Sequence, residues 1–401
     1  MLSLSTCLYS GFSLGSFVNW SQILGLGQLA DMSMAQERAY WLAWSQIEGV
    51  GAVSLNRIYQ HFGSLQTAWN APAIAFAEVE GINGKAARAI EQYRPKDLPA
   101  KLIAPHLEQN PQFWTPGDEL YPRLLAEIPG PPPLLYHRGQ IEPEENLGSK
   151  PMVGIVGTRN PSEYGKRWTK KLTQALVSHG FGIVSGMAAG IDTVAHHTCL
   201  ENNGRTIAVL GTGVDQIYPF SNRDLYHRLS KDGLIVSEYS AQTQPDRGHF
   251  PARNRIIAGL CRAVLIIEAP QRSGALITAR YANDFGRDVY ILPGSLDNPK
   301  ALGCLGLLNS GAHVVLGSRH LLEMLGTMPC LDRLPTTTKP KPELSPDLAS
   351  IYNLIERESV PIDTIARQTG LAINEILATL SQLEMMDLVV QLPGMRYQLK
   401  E

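Results

Sequence analysis

The chain has 401 residues, 44% of them hydrophobic and 18% charged, which allows two or three domains with full-sized cores and excludes wholesale disorder. Its formal net charge of −2 is unevenly spread: residues 151–330 carry 18 Lys and Arg against 13 Asp and Glu, and the rest of the chain 17 against 24. A polyanionic partner is therefore expected on the central part, not on the flanks. Cys7, Cys199, Cys261, Cys304 and Cys330 lie far apart with no C-x-x-C pair. They give no zinc or disulfide framework and suit a reducing, cytoplasmic setting.

Residues 1–33 are apolar and rich in Gly and Ser, with no Lys or Arg before Asp31. A secretory signal needs a cationic start, and a membrane span needs about 18 uninterrupted apolar residues; neither is present, so no membrane association is expected. Helical patterning begins at Met34, so residues 1–33 are expected to be disordered or to precede the native start at Met32 or Met34. From 34 to 100 the pattern is short helices between glycine turns. Glu48-Gly-Val-Gly51 and Glu80-Gly-Ile-Asn-Gly84 each lead into an amphipathic helix. Such pairs resemble helix-hairpin-helix units, whose turn amides can hold a phosphate, but glycine also ends ordinary helices. The mixed local charge favours a packing or dimer-contact domain. Residues 101–150 are proline-rich and are expected to be an extended connection.

Residues 151–326 alternate apolar strands with helices. The expected strands are Met152 to Val156, Gly182 to Ser185, Thr206 to Leu210, Leu234 to Val236, Val264 to Glu268, Val289 to Leu292 and His313 to Leu316. This alternation predicts a parallel sheet with helices on both faces, and ligands in such sheets bind beyond the carboxyl ends of the strands. Those ends are informative: Gly157-Thr-Arg159, then Ser185-Gly-Met-Ala-Ala-Gly-Ile-Asp192, then Gly211-Thr-Gly213, and later Glu268-Ala-Pro-Gln-Arg-Ser-Gly-Ala275. Glycine turns entering helices bring backbone amides and positive helix ends to one rim. Asp192 is read as a helix N-cap, and the adjacent His196 and His197 as helix residues without a metal-ligand set.

Arg247 to Leu260 reads RGHFPARNRIIAGL. Guanidinium forks match phosphate oxygens, and the Phe250 ring suits a nucleobase. Pro251 biases Phe250 towards an extended, projecting conformation. The alternative is that Phe250 is core and the arginines pair with acids such as Glu238 and Glu268. No G-x-G-x-x-G or G-x-x-x-x-G-K-[ST] run is present, so neither a dinucleotide cofactor nor P-loop ATP hydrolysis is expected, and no cofactor or metal is read from the sequence. Residues 327–345 form a Pro/Thr/Lys-rich linker. Residues 346–401 read as three helices and a hairpin, a winged-helix pattern. Its would-be recognition helix, NEILATLSQLE, holds no Lys or Arg, which favours protein contact over groove reading.

The blocks Gly154-Ile-Val-Gly-Thr-Arg159, Ser185-Gly-Met-Ala-Ala-Gly-Ile-Asp-Thr-Val-Ala-His196, Phe250-Pro-Ala-Arg-Asn-Arg-Ile-Ile-Ala-Gly-Leu260, Ser273-Gly-Ala-Leu-Ile-Thr-Ala-Arg280 and Leu292-Pro-Gly-Ser295 resemble, in this order, those of the DNA-processing protein A (DprA/Smf) family. The resemblance runs from about Ala39 to Leu399. Leu305 departs from the asparagine usual there, and the first thirty or so residues have no counterpart. The resemblance implies an extended Rossmann-like domain over 151–326, flanked by a sterile-alpha-motif-like helical domain and a C-terminal winged helix. It further implies a non-enzymatic protein that binds single-stranded DNA, forms a homodimer, and hands incoming strands to the RecA recombinase in natural transformation. By position, Arg159 matches an arginine that holds phosphate, Arg247 a basic position three before the Phe-Pro pair, and Phe250 a residue that contacts bases. The candidate DNA-binding set is Gly157, Thr158, Arg159, Gly186, Arg247, Phe250, Arg253, Asn254 and Arg255. Two other readings stay open: a nucleotide-processing enzyme of the lysine-decarboxylase-like class, for which the glutamate of the P-G-G-x-G-T-x-x-E block is missing, and a dimeric scaffold acting through the winged helix.

Overall fold

The computed structural model describes residues 36–326 and 346–399, apart from positions 83, 96, 353, 356–359, 387, 393 and 394. The leader 1–33 and the linker 327–345 lie outside the described residues. The chain divides into two units, Met1–Asp332 and Arg333–Glu401.

The first unit is built on a nine-stranded sheet. Its strands in chain order are β1 (Phe113–Trp114), β2 (Leu135–Gly139), β3 (Met152–Val156), β4 (Gly182–Ser185), β5 (Thr206–Val209), β6 (Leu234–Ser237), β7 (Ala263–Ile266), β8 (Asp288–Ile291) and β9 (His313–Val314). Their spatial order is β1-β2-β6-β5-β4-β3-β7-β8-β9. From β6 to β9 all pairings are parallel, whereas β1 and β2 are antiparallel additions at one edge. Side chains alternate faces along each central strand. Val153, Ile155, Ala263 and Leu265 pack with the helices Glu163–Ser178 and Ile191–Glu201 on one face. Met152, Val156, Val264 and Ile266 pack with the helices His249–Gly259 and Ala275–Asp284 on the other. Burial on both faces is why these strands read as unbroken apolar runs.

Residues 101–150 are not the extended connection that their prolines suggest. They hold most of the helix Leu98–Gln109, both antiparallel strands β1 and β2, and two short helices. Pairing of β2 with β6 runs through Tyr136–Gly139, which contain no proline, while the proline run lies in the loop before it. The N-terminal helices after 36 pack around Trp41, Trp44 and Phe76 against Phe113 and Tyr136 of the added strands. Both glycine turns, with Gly49 and Gly81 at positive φ, lead into helices, Ala52–Phe62 and Gly84–Gln92.

In the second unit, helices Pro346–Tyr352, Ile362–Thr369 and Ile373–Met385 pack on a three-stranded sheet of Val360–Pro361, Val389–Leu392 and Arg396–Leu399. This is a winged helix, with Ile351, Ile365, Ile376 and Leu380 at its core.

The order of the main sheet places the site. β3 lies between β4 and β7, so the chain winds outward in opposite directions from it, and the turns leaving β3 and β7 part to open a crevice at their carboxyl ends.

Candidate functional site

The turn leaving β3 is clamped from both sides. Thr158 N donates to Glu268 O at 2.7 Å, and Ile191 N donates to Thr158 O at 3.2 Å. A Cβ on Gly157 would stand 2.7 Å from Ile191 Cγ1 and 3.0 Å from Glu268 O, so glycine is required by space. The buried Glu268 carboxylate accepts from Ser162 N at 2.8 Å and Ser162 Oγ at 2.5 Å. It therefore holds the entry to the next helix and pairs with no arginine among the described residues. Arg159 projects, exposed, from this fixed turn.

At the end of β4 the turn Gly186–Gly190 enters the helix Ile191–Glu201. Asp192, expected as the N-cap of that helix, is instead inside its first turn, and Gly190 occupies the cap position. Its Oδ2 accepts from Gly186 N at 3.1 Å and Ala188 N at 3.4 Å, folding back to hold the preceding turn. Burial raises its carboxyl pKa to about 6, against the opposing pull of Arg253.

The stretch around Phe250 is helical, not extended. The helix His249–Gly259 begins just before it, with Pro251 at its third position. Proline is tolerated there because first-turn N–H groups have no intrahelical acceptor. From this helix, neighbouring arginines diverge. Arg253 is buried, 4% exposed, with Nη1 donating to Gly186 O at 2.8 Å and to Val209 O. Burial lowers its pKa to about 10, partly offset by Asp192, so it remains a cation. Asn254 Nδ2 donates to Gly274 O at 3.1 Å. Arg255 turns away and forms a two-pronged pair with Glu238, 2.7 Å at each prong, while its Nε donates to Gly130 O at 3.2 Å.

Between these elements lies an open cleft of about 720 Å³ lined by Gly157, Thr158, Arg159, Arg247, Phe250, Arg253, Asn254 and Arg272. An adjoining pocket of about 210 Å³ reaches Gly186, Gly211 and Tyr218. The half-buried Phe250 ring stacks on Tyr218 at 5.3 Å between centroids and 29° between planes, and Arg159 Cζ lies 5.6 Å from its centre. Arg159, Arg247 and Arg272 are all exposed, and none is in an ion pair among the described residues. Asp192 supplies the carboxylate in the lining, and the turn amides occupy one of its oxygens. Such a surface holds anions and flat rings; it offers no pair of reachable carboxylates for proton transfer.

Of the expected set, Gly157, Thr158, Arg159, Gly186, Arg247, Phe250, Arg253 and Asn254 converge on the cleft and its pocket. Arg255 does not: its guanidinium is committed to Glu238, as the alternative reading had it. Among the lining residues outside that set, Arg272 and Tyr218 bring a cation and a ring. Arg272 was legible as a cation on a strand-end loop, whereas nothing local marks Tyr218, which reaches the cleft from the loop after β5.

A parallel sheet wound both ways from a central strand, with glycine turns and exposed arginines on its carboxyl rim, defines a Rossmann-like domain, and the second unit is a winged helix. The chain matches the family model of DNA recombination-mediator protein A over residues 112–326, and that of the DprA winged helix domain over 335–395. It is 50% identical to protein Smf of Synechocystis sp., covering 90% of this chain and 98% of that one. It is 45% identical to the DNA processing protein DprA of Streptococcus pneumoniae over 51% of this chain and 71% of that one. The X-ray structure of DNA processing protein A from Streptococcus pneumoniae superposes with a TM-score of 0.61 at 35% identity, covering 71% of this chain and 97% of that one. The chain belongs to the DNA recombination-mediator protein A family.

Proposed function

We propose that this protein binds single-stranded DNA in the cleft beyond β3 and β7 and passes it to the RecA recombinase without cutting it. The observation that carries the reading is the juxtaposition of three exposed arginines with no ion pair among the described residues, Arg159, Arg247 and Arg272, with the stacked Phe250 and Tyr218. Guanidinium groups suit backbone phosphates, and an aromatic face accepts any base, so the pairing favours a flexible strand whose bases are free to stack. A duplex hides those faces. The family's description as recombination mediators, and the relatives' names as DNA-processing proteins, support DNA as the polyanion.

The non-enzymatic reading is supported by a cleft lining with a single carboxylate, that of Asp192, whose Oδ2 is engaged by the turn amides. The recognition helix of the winged helix, without a cation along Ile373–Met385, favours protein contact for that unit, in a protein that acts as a cytoplasmic homodimer. No helix among the described residues is long and apolar enough to cross a membrane. The test is anisotropy with labelled oligothymidylate and a matched duplex at two salt concentrations. A clear single-strand preference that weakens with salt is expected. Equal binding of both forms, or strand binding unaltered by Arg159→Ala together with Phe250→Ala, would remove the assignment.

A further inference from the structure

We propose a second nucleobase station at Phe220, with Arg223 on the adjoining phosphate, continuing the track past the Phe250–Tyr218 pair. The proposal rests on the single-strand reading above and extends it to residues that lie outside the cleft itself.

Phe220 is 73% exposed. A lone exposed apolar side chain is ordinary on a protein surface, so exposure alone carries nothing. Three further features set this ring apart. It follows Tyr218 by two residues, and an extended chain advances about 3.3–3.6 Å per residue, so its backbone lies at most about 7 Å from that of a ring already lining the cleft. Tyr218 is itself 39% exposed, so its outer part is not consumed by the stack on Phe250. Arg223 Cζ lies 5.9 Å from the centre of the Phe220 ring, and this exposed guanidinium is in no ion pair among the described residues. A ring beside an uncommitted guanidinium repeats the arrangement of Phe250 and Arg159.

The loop is also held in place. Asn222 is buried, and its Nδ2 donates to Met187 O at 2.9 Å and Thr193 Oγ1 at 2.8 Å. Those partners belong to the turn after β4 and the helix it enters, the framework that also seats Arg253. The following helix, Arg223–Asp232, is anchored by the buried Leu225, Tyr226 and Leu229. A ring presented on a fixed loop loses little conformational freedom when a ligand covers it, which favours a built station over an incidental exposure.

Binding of the full chain to labelled oligothymidylates of about 4 and about 16 nucleotides tests this. Phe220→Ala is expected to weaken the longer oligomer by about five-fold or more, the lower end for loss of one stacked base, and to leave the shorter one unchanged. Phe220→Tyr should restore the longer oligomer, and Arg223→Gln should lower its salt slope by about 1. Unchanged affinity of Phe220→Ala for the longer oligomer, with Phe250→Ala weakened, would overturn the station and leave the proposed function intact. Equal weakening at both lengths would also overturn it, since Phe220 would then belong to the first station. Failure of the parent chain to bind either oligomer would overturn the function and the station together.

Discussion

Arg253 is seated directly against Gly186. Its Nη1 donates to Gly186 O at 2.8 Å, and a Cβ at position 186 would stand 2.6 Å from Nη2. The guanidinium thus ties the ends of β4 and β5 together from beneath the cleft floor while lending its charge to the site. Gly186→Ala should cost about 1–3 kcal/mol by crowding that group. Arg253→Ala should cost more, about 3–5 kcal/mol, because Asp192 loses its buried counter-charge and two carbonyls lose their donor. The double variant should cost less than the sum, since removing the guanidinium removes the clash. Denaturant unfolding of all four proteins measures this coupling, and strict additivity would contradict the contact as the cause.

The exposed and buried arginines should separate cleanly. Arg159→Ala, Arg247→Ala and Arg272→Ala should each change stability by no more than about 1 kcal/mol, yet weaken binding to oligothymidylate and reduce its salt slope by about 1. Arg255→Ala should do the reverse. It strands Glu238, which is 16% exposed in the pair, at a cost of about 2 kcal/mol, and leaves the salt slope unchanged. Thermal melts alongside anisotropy at several salt concentrations distinguish the two groups.

Phe250 offers its ring to the cleft and not to the deep core. Phe250→Ala should cost about 1–3 kcal/mol of binding, and Phe250→Tyr should retain most of it. Phe250→Leu is the informative variant: it keeps apolar bulk but lacks a flat face, so it should bind like the alanine variant. Binding of the leucine variant at parental strength would argue for simple apolar contact.

Acid should destabilise the fold through two buried histidines. Burial lowers the pKa of His196 to about 3 and that of His137 to about 4, from an ordinary 6.5. Between those values the unfolded chain holds protons that the folded one refuses, so stability is full above about pH 6.5 and falls as pH drops towards 4. Asp192 works the other way. Its folded pKa is raised, so between its ordinary value of 3.8 and about 6 the folded chain keeps a proton that the unfolded one has released. Burial also lowers the pKa of His106 and His197 and raises that of Glu145, so the histidines outweigh the carboxyls and the net expectation is a fall of at least about 1 kcal/mol per pH unit over that window. Urea unfolding from pH 4 to 8 checks the slope, and His196→Gln should flatten it.

The chain's local chemistry determined much of the architecture. Strands buried on both faces must be apolar throughout, and glycine turns must follow where helix ends crowd a strand, so β3 to β9 and the rim glycines were legible in order, whereas the helix His249–Gly259 was not. The winged helix was legible for the same reason, through its helical period and closing hairpin. The tertiary structure decided matters that no local pattern carries. β1 and β2 join the sheet through pairing with β6, in a stretch whose prolines mask it. Pro251 locally favours an extended Phe250, and the helix that starts at His249 overrides that preference. Arg253 and Arg255 are two residues apart, about 200° around one helix, so one supports the cleft floor and the other meets Glu238 behind it. A guanidinium carries the same charge at either position. Whether that charge is available to a ligand depends on the neighbours that folding brings, and Glu238 reaches Arg255 only through the end of β6.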